Sequence, residues 1–259
     1  MSPQSVVTLC SEAGLSLIAI SDHESIAGLN EGRLAGQQLG VTVAAGIELD
    51  IDYEQELHIL LYCFDETAPD LLELIKKAHA ARKSRDIAIR DKLKHMGMPL
   101  EECTDPNYHL ISIVQDMVHK GYAASPREAF INYVGANGSA HVPRPKPGID
   151  EAMEIAAACH GLSVLAHPAK CGYGKELIGK LADRGLWGIE AYYPQHTKQQ
   201  TESYIVLAEQ FNLVITAGSD FHGAHRKENA IAAVSSQATH PLAIKAADEI
   251  EARLPKYSA

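Results

Sequence analysis

The segment VITAGSDFHG, residues 214–223, places an acid and a histidine directly after an apolar run. Val214 and Ile215 are typical of a buried strand, and Asp220 and His222 follow where that strand is expected to end. In an extended chain, side chains two positions apart point to the same side, so both groups are expected to face one point in space. Aspartate and glycine are also ordinary turn residues, so this segment alone is compatible with a plain loop.

Residues of the same kinds recur at the ends of other apolar runs. Three more predicted strands end in, or are directly followed by, acids or histidines: Asp22 with His23, Glu48, and His167. In β/α barrels the carboxyl ends of the strands carry the chemistry, so this recurrence predicts that the side chains converge at one rim. His58 instead opens its run. It joins the group only if residues 50–56 form a hairpin loop that turns the next strand antiparallel.

Aspartate, glutamate and histidine ligands without cysteine suit manganese, iron or zinc. Carboxylate bridges and imidazoles together favour a multinuclear hydrolytic site, in which one metal makes a hydroxide and its neighbours hold phosphoryl oxygens. Other chemistries have little support. The chain has no Gly-x-Ser-x-Gly nucleophile motif, and CGYGKE, residues 171–176, matches neither a phosphate loop nor a dinucleotide fingerprint. A cysteine nucleophile would have no better candidate than Cys171, which we interpret as structural or incidental.

Composition bounds the class of protein and its partners. A chain of 259 residues, 46% of them hydrophobic, can bury the core of one large domain. The net charge of −10 repels polyanions, so long duplex nucleic acid is not an expected partner. The five scattered cysteines predict a reducing cytoplasm, with the thiols as small core residues. No apolar run is long enough for a membrane helix and the N-terminus does not resemble a signal peptide, so we expect a cytoplasmic protein that does not contact membranes.

Short apolar runs alternate with amphipathic stretches, which predicts an α/β fold with a mainly parallel sheet. The predicted buried strands are 15–21, 41–49, 58–64, 162–168, 187–193 and 213–219, and the main helices are 68–96, 149–160, 174–184 and 197–211. Gly40 and Gly161 are expected to end the helices that precede two of these strands. The alternation of strands and helices stops between the predicted barrel segments 1–97 and 149–259. We therefore interpret residues 98–148 as an inserted helical subdomain that ends in a stiff, proline-rich linker.

The motifs resemble those of the polymerase-and-histidinol-phosphatase (PHP) domain phosphoesterases. The matching segments, in the family's order, are IAISDHESIAGL, AGIELD, LHILLY, LSVLAHP, WGIEAYYPQH and TAGSDFHG, and they span nearly the whole chain. The insertion, with YHLISIVQDMVHKGYAASPREAFINYV, is similar to that of the branch whose members hydrolyse nucleoside 3′,5′-bisphosphates and trim short RNA from the 5′ end. This resemblance implies a distorted, TIM-like (β/α)7 barrel that holds three metals.

The resemblance also implies a role for each candidate residue. Glu48 would bridge two metals, and His58 and His167 would complete the second metal. Asp220 would bind the first metal, and His23 and His222 the third. Asp22 would orient a ligand or the strand end, and His109, in the insertion, would face the substrate phosphate. His196 is a further candidate on the substrate side, and a solvated residue at a helix entry is the alternative.

The chain departs from the family pattern in two places. It lacks the family's first strand, which carries His-x-His and precedes an aspartate before Asp-Gly, so we expect fewer than three metals here and one well-formed metal site at most. We also expect that the coding DNA upstream of Met1 encodes that strand and that the longer product is the active form. In the insertion, relatives place an arginine directly before the histidine, where this chain has Tyr108 after Asn107. Phosphate binding would then be weaker or rely on Arg82, Arg85 or Arg144.

Three functions remain open at this point. The first is a metal-dependent phosphoesterase that acts on a small phosphorylated nucleotide or a short RNA end and that needs no obligate protein partner. The second is a degenerate relative that binds metal or nucleotide without turnover. The third is an amidohydrolase-like metal-dependent hydrolase of a substrate without phosphate, which would use the same barrel mouth.

Overall fold

The structure, a computed structural model, describes residues 1–101, 110–223, 230–231 and 239–257. In chain order the main elements are α1 (Pro3–Glu12), β1 (Leu17–Ile20), α2 (Leu29–Leu39), β2 (Thr42–Ile51), β3 (Leu57–Tyr62), α3 (Pro69–His95), α4 (Leu110–His119), α5 (Pro126–Ala129), α6 (Ile149–Ala158), β4 (Leu162–Leu165), α7 (Lys175–Ala182), β5 (Gly188–Tyr192), α8 (Lys198–Gln210), β6 (Val214–Ala217) and α9 (Pro241–Tyr257). A π-helix, Phe130–Val134, continues α5, and a 3₁₀ turn, Pro168–Lys170, follows β4. The predicted α/β class is confirmed.

The six strands form one sheet in the order β1-β2-β3-β4-β5-β6. The pairs β1–β2, β4–β5 and β5–β6 are parallel, whereas β3 runs antiparallel to both of its neighbours. All six predicted strands are present, and the predicted hairpin is confirmed because β3 turns back along β2 with His58 opposite Asp50. The antiparallel strand β3 therefore interrupts a sheet whose other strand pairs are parallel.

Local sequence explains where several helices begin and end. The Ser2 side chain caps α1 by accepting a hydrogen bond from the Ser5 N–H, directly before a proline that suits the first helical position. Thr197 begins α8 with a reciprocal capping box to Gln200. Gly40 ends α2 in the left-handed conformation, as predicted, with a φ of 70°.

The prediction that Gly161 ends a helix is wrong by one position. Helix α6 ends at Ala158, and the residue that adopts the left-handed conformation is His160, with a φ of 56°. Gly161 instead lies against Phe64, where a β-carbon would come within 3.3 Å of the phenylalanine β-carbon. The small residue is therefore explained by the close approach of α6 to the end of β3.

Strand β1 is not buried as the sequence predicts. Leu17, Ile18 and Ile20 are half-buried and Ala19 is exposed. The physical reason is that, in the described part of the chain, β1 pairs with β2 on one side only. Strands β2 and β3, which lie inside the sheet, are buried along nearly their whole length.

The described chain forms two compact units, one of residues 1–74 with 147–259 and the other of residues 75–146. The first contains the sheet. The second has its own core, which includes Ile89, Leu93, Ile113 and Met117. Among the described residues, every helix is too short or too polar to cross a membrane.

Candidate metal centre

The β2–β3 hairpin brings acids and histidines onto one face of the sheet. Glu48 and Asp50 are two positions apart on β2, so their side chains point to the same face, and Asp50 lies directly opposite His58 in the register of the hairpin. His167 follows β4, the neighbour of β3 on the other side, and its backbone takes a positive φ of 29°. The hairpin therefore places His58 beside Glu48, as the sequence analysis predicted.

Three buried side chains, Glu48, His58 and His167, form the centre of the site. His58 Nδ1 lies 2.6 Å from Glu48 Oε1, His167 Nε2 lies 3.2 Å from the same oxygen, and the two nitrogens are 3.2 Å apart. Burial raises the pKa of the Glu48 carboxyl, but the hydrogen bonds from His167 and His58 outweigh burial and hold this pKa below its ordinary value. A carboxylate oxygen and two imidazole nitrogens that converge in this way are a donor set that fits zinc, manganese or iron.

His23 approaches the same carboxylate from the other side. It forms an isolated parallel bridge with Glu48, and its Nε2 lies 3.6 Å from Glu48 Oε2. Its Nδ1 lies 2.7 Å from Asp50 Oδ1, so His23, Asp50 and His58 form a second group of potential ligands. The sequence analysis did not select Asp50. Its position two residues after Glu48, on the face that carries His58, is the signal that could have found it.

Asp22 supports the end of β1 beside Glu48. Its carbonyl oxygen accepts the Glu48 N–H at 3.1 Å, and burial raises the pKa of its carboxyl group. The backbone of Asp22 thus aligns the strand that carries Glu48.

Asp220 and His222 lie at the end of β6, but with partners that the sequence did not predict. Asp220 Oδ2 accepts hydrogen bonds from Lys170 Nζ at 3.0 Å and from the Tyr193 hydroxyl at 2.9 Å, and His222 Nδ1 lies 3.1 Å from Asp220 Oδ1. Burial raises the pKa of Asp220, but His222 and Lys170 outweigh it and lower this pKa. Among the described residues, neither Asp220 nor His222 belongs to either group of potential ligands.

Glu190, on β5, is a second acidic residue that the sequence analysis missed. Its side chain is buried, and its Oε2 accepts the N–H of His167 at 2.8 Å. Burial raises the pKa of Glu190 to about 7. Its other carboxylate oxygen lies so close to Gly218 that a β-carbon there would collide with it. A glutamate inside the apolar run WGIEAYY is the sequence signal that points to this residue.

Of the two candidates on the substrate side, the structure describes only His196. His196 Nδ1 lies 3.0 Å from the Ala191 carbonyl oxygen, and its Nε2 accepts the Ala169 N–H at 3.4 Å. Burial lowers the pKa of His196, and these contacts hold the ring against the turn that follows His167. His109 lies outside the described residues.

A cavity of about 990 Å³ opens onto the site. The lining includes Asp22, His23, Glu48, His167, Asp220 and His222, together with apolar residues of α1, β1, β6 and α9. Four carboxyl groups, counting Glu190, face this space, and no lysine or arginine is among the described residues that line it. This distribution of charge favours a bound cation.

Curated relatives match this chain over most of their length. A 5′-3′ exoribonuclease of Haemophilus influenzae is 29% identical over 232 residues, which cover 86% of this chain and 85% of the relative. The chain is homologous to bacterial phosphoesterases. A phosphoribosyl 1,2-cyclic phosphate 1,2-diphosphodiesterase of Eggerthella lenta is 28% identical, with 85% of this chain and 88% of the relative covered. A 3′,5′-nucleoside bisphosphate phosphatase of Chromobacterium violaceum is 23% identical, with 86% and 82% covered.

The predicted resemblance to the PHP phosphoesterases is thereby confirmed. The fold agrees as well, since the crystal structure of a Bifidobacterium adolescentis protein assigned as a metal-dependent phosphoesterase superposes with a TM-score of 0.82. It is 22% identical in sequence, and the match covers 97% of this chain and 91% of that chain. No family model matches the chain.

Proposed function

We propose that this protein hydrolyses phosphate esters of small nucleotides or of RNA 5′ ends, with a divalent metal held by Glu48, His58 and His167. The observation that carries the proposal is the convergence of these three buried side chains, with ligand atoms 2.6–3.2 Å apart. The substrate class is supported by the relatives, which include an exoribonuclease and a nucleoside bisphosphate phosphatase.

A bound metal would supply two kinds of chemistry, since it lowers the pKa of a water molecule and polarises phosphoryl oxygens. The protein's own residues would arrange the reactants. The Glu190 carboxylate holds the His167 backbone by accepting the His167 N–H. His23 faces the Glu48 carboxylate from the side opposite His58 and His167. Lys170, which pairs with Asp220, places an ammonium group beside the site, where it would attract a phosphate.

The proposed architecture is the (β/α)7 barrel that the resemblance implies. Strands β1 and β6 end the sheet order, and both line the cavity. One further strand between them would close the sheet and cover the half-exposed apolar residues of β1. The other proposed ligands, Asp220 and His222, lie at the end of β6 beside this cavity.

The function is tested by assaying the manganese-loaded protein on adenosine 3′,5′-bisphosphate and on a short 5′-phosphorylated RNA. His167→Ala and Glu48→Gln should each lower bound metal and reduce turnover at least about 100-fold, because each removes a ligand from the central group. His79→Ala, at an exposed position on α3, is the matched control and should change neither quantity.

Reaction in oxygen-18 water locates the bond that breaks. Attack at phosphorus puts the label into the released phosphate, whereas label in the nucleoside hydroxyl would exclude this reaction. Equal turnover by the wild type, His167→Ala and Glu48→Gln would contradict the assigned metal centre.

Binding without turnover is the second candidate function. It is favoured by the position of Asp220, which is engaged by Lys170, Tyr193 and His222 and lies outside both described groups of ligands. If the protein binds one equivalent of metal and binds nucleotide, yet releases no phosphate from any substrate tested, this second function is correct.

A further inference from the structure

The positive charge of the chain is concentrated in the smaller of its two compact units. Residues 75–146 contain 12 lysines and arginines and 7 aspartates and glutamates, which gives a net charge of +5. The other unit, residues 1–74 with 147–259, contains 11 and 26 of these residues, which gives a net charge of −15. One unit of an acidic protein therefore carries the sign of charge that attracts a polyanion.

Three lysines of this unit lie in line on one face of α3. Lys83 follows Lys76 by seven residues, about two helical turns, and Lys94 follows Lys83 by eleven residues, about three turns. At about 3.6 residues per turn, these spacings place the three side chains within about 20° of one another around the helix axis. All three lysines are exposed. They form a basic stripe that is about 27 Å long, because an α-helix rises about 1.5 Å per residue.

The residues around the basic stripe do not neutralise its charge. Residues 76–94 include eight lysines and arginines but only two acids, Asp86 and Asp91. Asp86 is buried and pairs with Arg85 at 2.8 Å, so Asp91 is the exposed acid of the two. On another side of the helix, Ile89 packs in the core of the unit. This packing fixes the side of α3 that faces solvent, and with it the position of the stripe.

The length of the basic stripe distinguishes between two kinds of phosphorylated ligand. Lys76 and Lys83 are about 10 Å apart along the helix axis, and Lys94 lies about 16 Å beyond Lys83, so a mononucleotide cannot contact all three lysines. A nucleic acid strand carries a negative charge on every phosphodiester and can contact each of them. The cavity at the candidate metal centre does not offer such a surface, because no lysine or arginine is among the described residues that line it.

We propose that the basic stripe of Lys76, Lys83 and Lys94 binds the phosphodiester backbone of single-stranded RNA substrates. The inference rests on the proposed function for the choice of RNA, because contacts to phosphates carry no base specificity of their own. It deepens that function, since it favours the ends of RNA strands over free nucleotides as the substrate class.

The experiment measures the binding of a 5′-phosphorylated 12-nucleotide oligouridylate by fluorescence anisotropy, with chelator present so that no metal-dependent cleavage occurs. The combined variant Lys76→Gln, Lys83→Gln and Lys94→Gln should bind this RNA at least about 10-fold more weakly at low salt. The slope of log Kobs against log salt concentration should fall in magnitude by about 2, because each neutralised phosphate of a single strand contributes about 0.7. Binding of uridine 5′-monophosphate should not change. Glutamine has a helix propensity similar to that of lysine, so α3 should stay folded.

The matched control makes the same change in net charge elsewhere. It combines Lys180→Gln, Lys198→Gln and Lys245→Gln, which replace exposed lysines on α7, α8 and α9. This variant should keep the wild-type affinity for the oligouridylate within about 2-fold and should keep the wild-type salt slope. Equal weakening by both combined variants would overturn the proposal, because the effect would then come from net charge and not from the stripe.

Two further results would also overturn it. One is a wild type that binds the oligouridylate no more tightly than uridine 5′-monophosphate. The other is binding to anionic phospholipid vesicles that depends on the three lysines while RNA binding does not, which would assign the stripe to a membrane surface.

Failure of this inference is distinguishable from failure of the proposed function. If RNA binding depends on the stripe but the metal-loaded protein hydrolyses no phosphate ester, the proposed function alone is wrong. If the protein hydrolyses adenosine 3′,5′-bisphosphate but its RNA binding is unchanged in the stripe variant, the inference alone is wrong.

Discussion

Glu190 shows how a single buried carboxyl group supports the site. It lies on β5 between the two strands whose ends carry His167 and Asp220, and one of its oxygens accepts the His167 N–H. His167 has a positive φ, a conformation that residues other than glycine rarely adopt and that its surroundings must hold in place. Glu190 therefore contributes to the geometry of the proposed metal centre, at the cost of burying an acid.

The burial of the Glu190 carboxyl group predicts that the free energy of unfolding of the metal-free protein depends on pH. Burial raises the pKa of Glu190 to about 7, so between its unfolded value of 4.5 and pH 7 the folded state holds a proton that the unfolded state releases. The contribution of Glu190 to the free energy of unfolding therefore falls as pH rises through this window. The free energy of unfolding of Glu190→Gln, relative to that of the wild type, should therefore increase by about 2–3 kcal/mol between pH 4 and pH 8. Urea unfolding at each pH measures this difference.

Comparison of two variants isolates this contribution from other titrating groups. Glu54→Gln changes an exposed acid in the hairpin loop and should follow the wild type at every pH. Parallel pH profiles for the wild type and Glu190→Gln would show that folding does not raise the pKa of Glu190.

At the scale of elements, β1 is fixed to the sheet by its close approach to β2. Gly46 on β2 faces the end of β1, and a β-carbon there would lie 2.6 Å from the Ile20 carbonyl oxygen and would also collide with the Ser21 side chain. A backbone atom cannot move aside without displacing the strand. The segment that would move leads directly into Asp22 and His23.

We therefore expect Gly46→Ala to lower the free energy of unfolding by about 2–3 kcal/mol and to reduce bound metal, since β1 and His23 must shift together. Chemical unfolding and elemental analysis measure the two effects. Gly148→Ala is the control. Its β-carbon would meet no atom within 4 Å, so it should cost on the order of 1 kcal/mol or less and leave the metal content unchanged. A stable Gly46→Ala protein with full metal content would mean that β1 adjusts freely.

Across the whole molecule, most of the described cysteines lie in the core. Cys10, Cys63 and Cys159 are buried and free, with 5%, 2% and 0% exposure. Burial raises the pKa of all three thiols, that of Cys63 to about 11. They pack as small apolar residues, as the sequence analysis expected, whereas Cys171 is partly exposed.

Iodoacetamide at pH 8 should therefore modify these three cysteines at least about 100-fold more slowly in the native protein than in denaturant. The buried thiols are inaccessible to the reagent, and their raised pKa values leave little of the reactive thiolate. Peptide mapping by mass spectrometry gives the rate for each thiol. Cys171 provides the internal comparison. Equal rates for Cys159 and Cys171 in the native state would contradict the buried position of Cys159.

Local sequence patterns predicted the strands and the types of the candidate ligands. The six strands and the hairpin at His58 were predictable because a strand's periodicity and its turn residues lie within a few positions of one another. The role of Gly161 was predicted wrongly because glycine is also used where a backbone approaches another element, and local sequence does not distinguish this use from a helix end.

The contacts between polar groups, in contrast, are set by the tertiary fold. The sequence analysis did not select Asp50, Glu190 or Lys170, which the fold brings against His23, His167 and Asp220, respectively. The energy of such contacts depends on burial and on distances of about 3 Å between residues that are far apart in the chain. No local pattern encodes those distances, and for this reason the partners of each ligand became visible only in the folded protein.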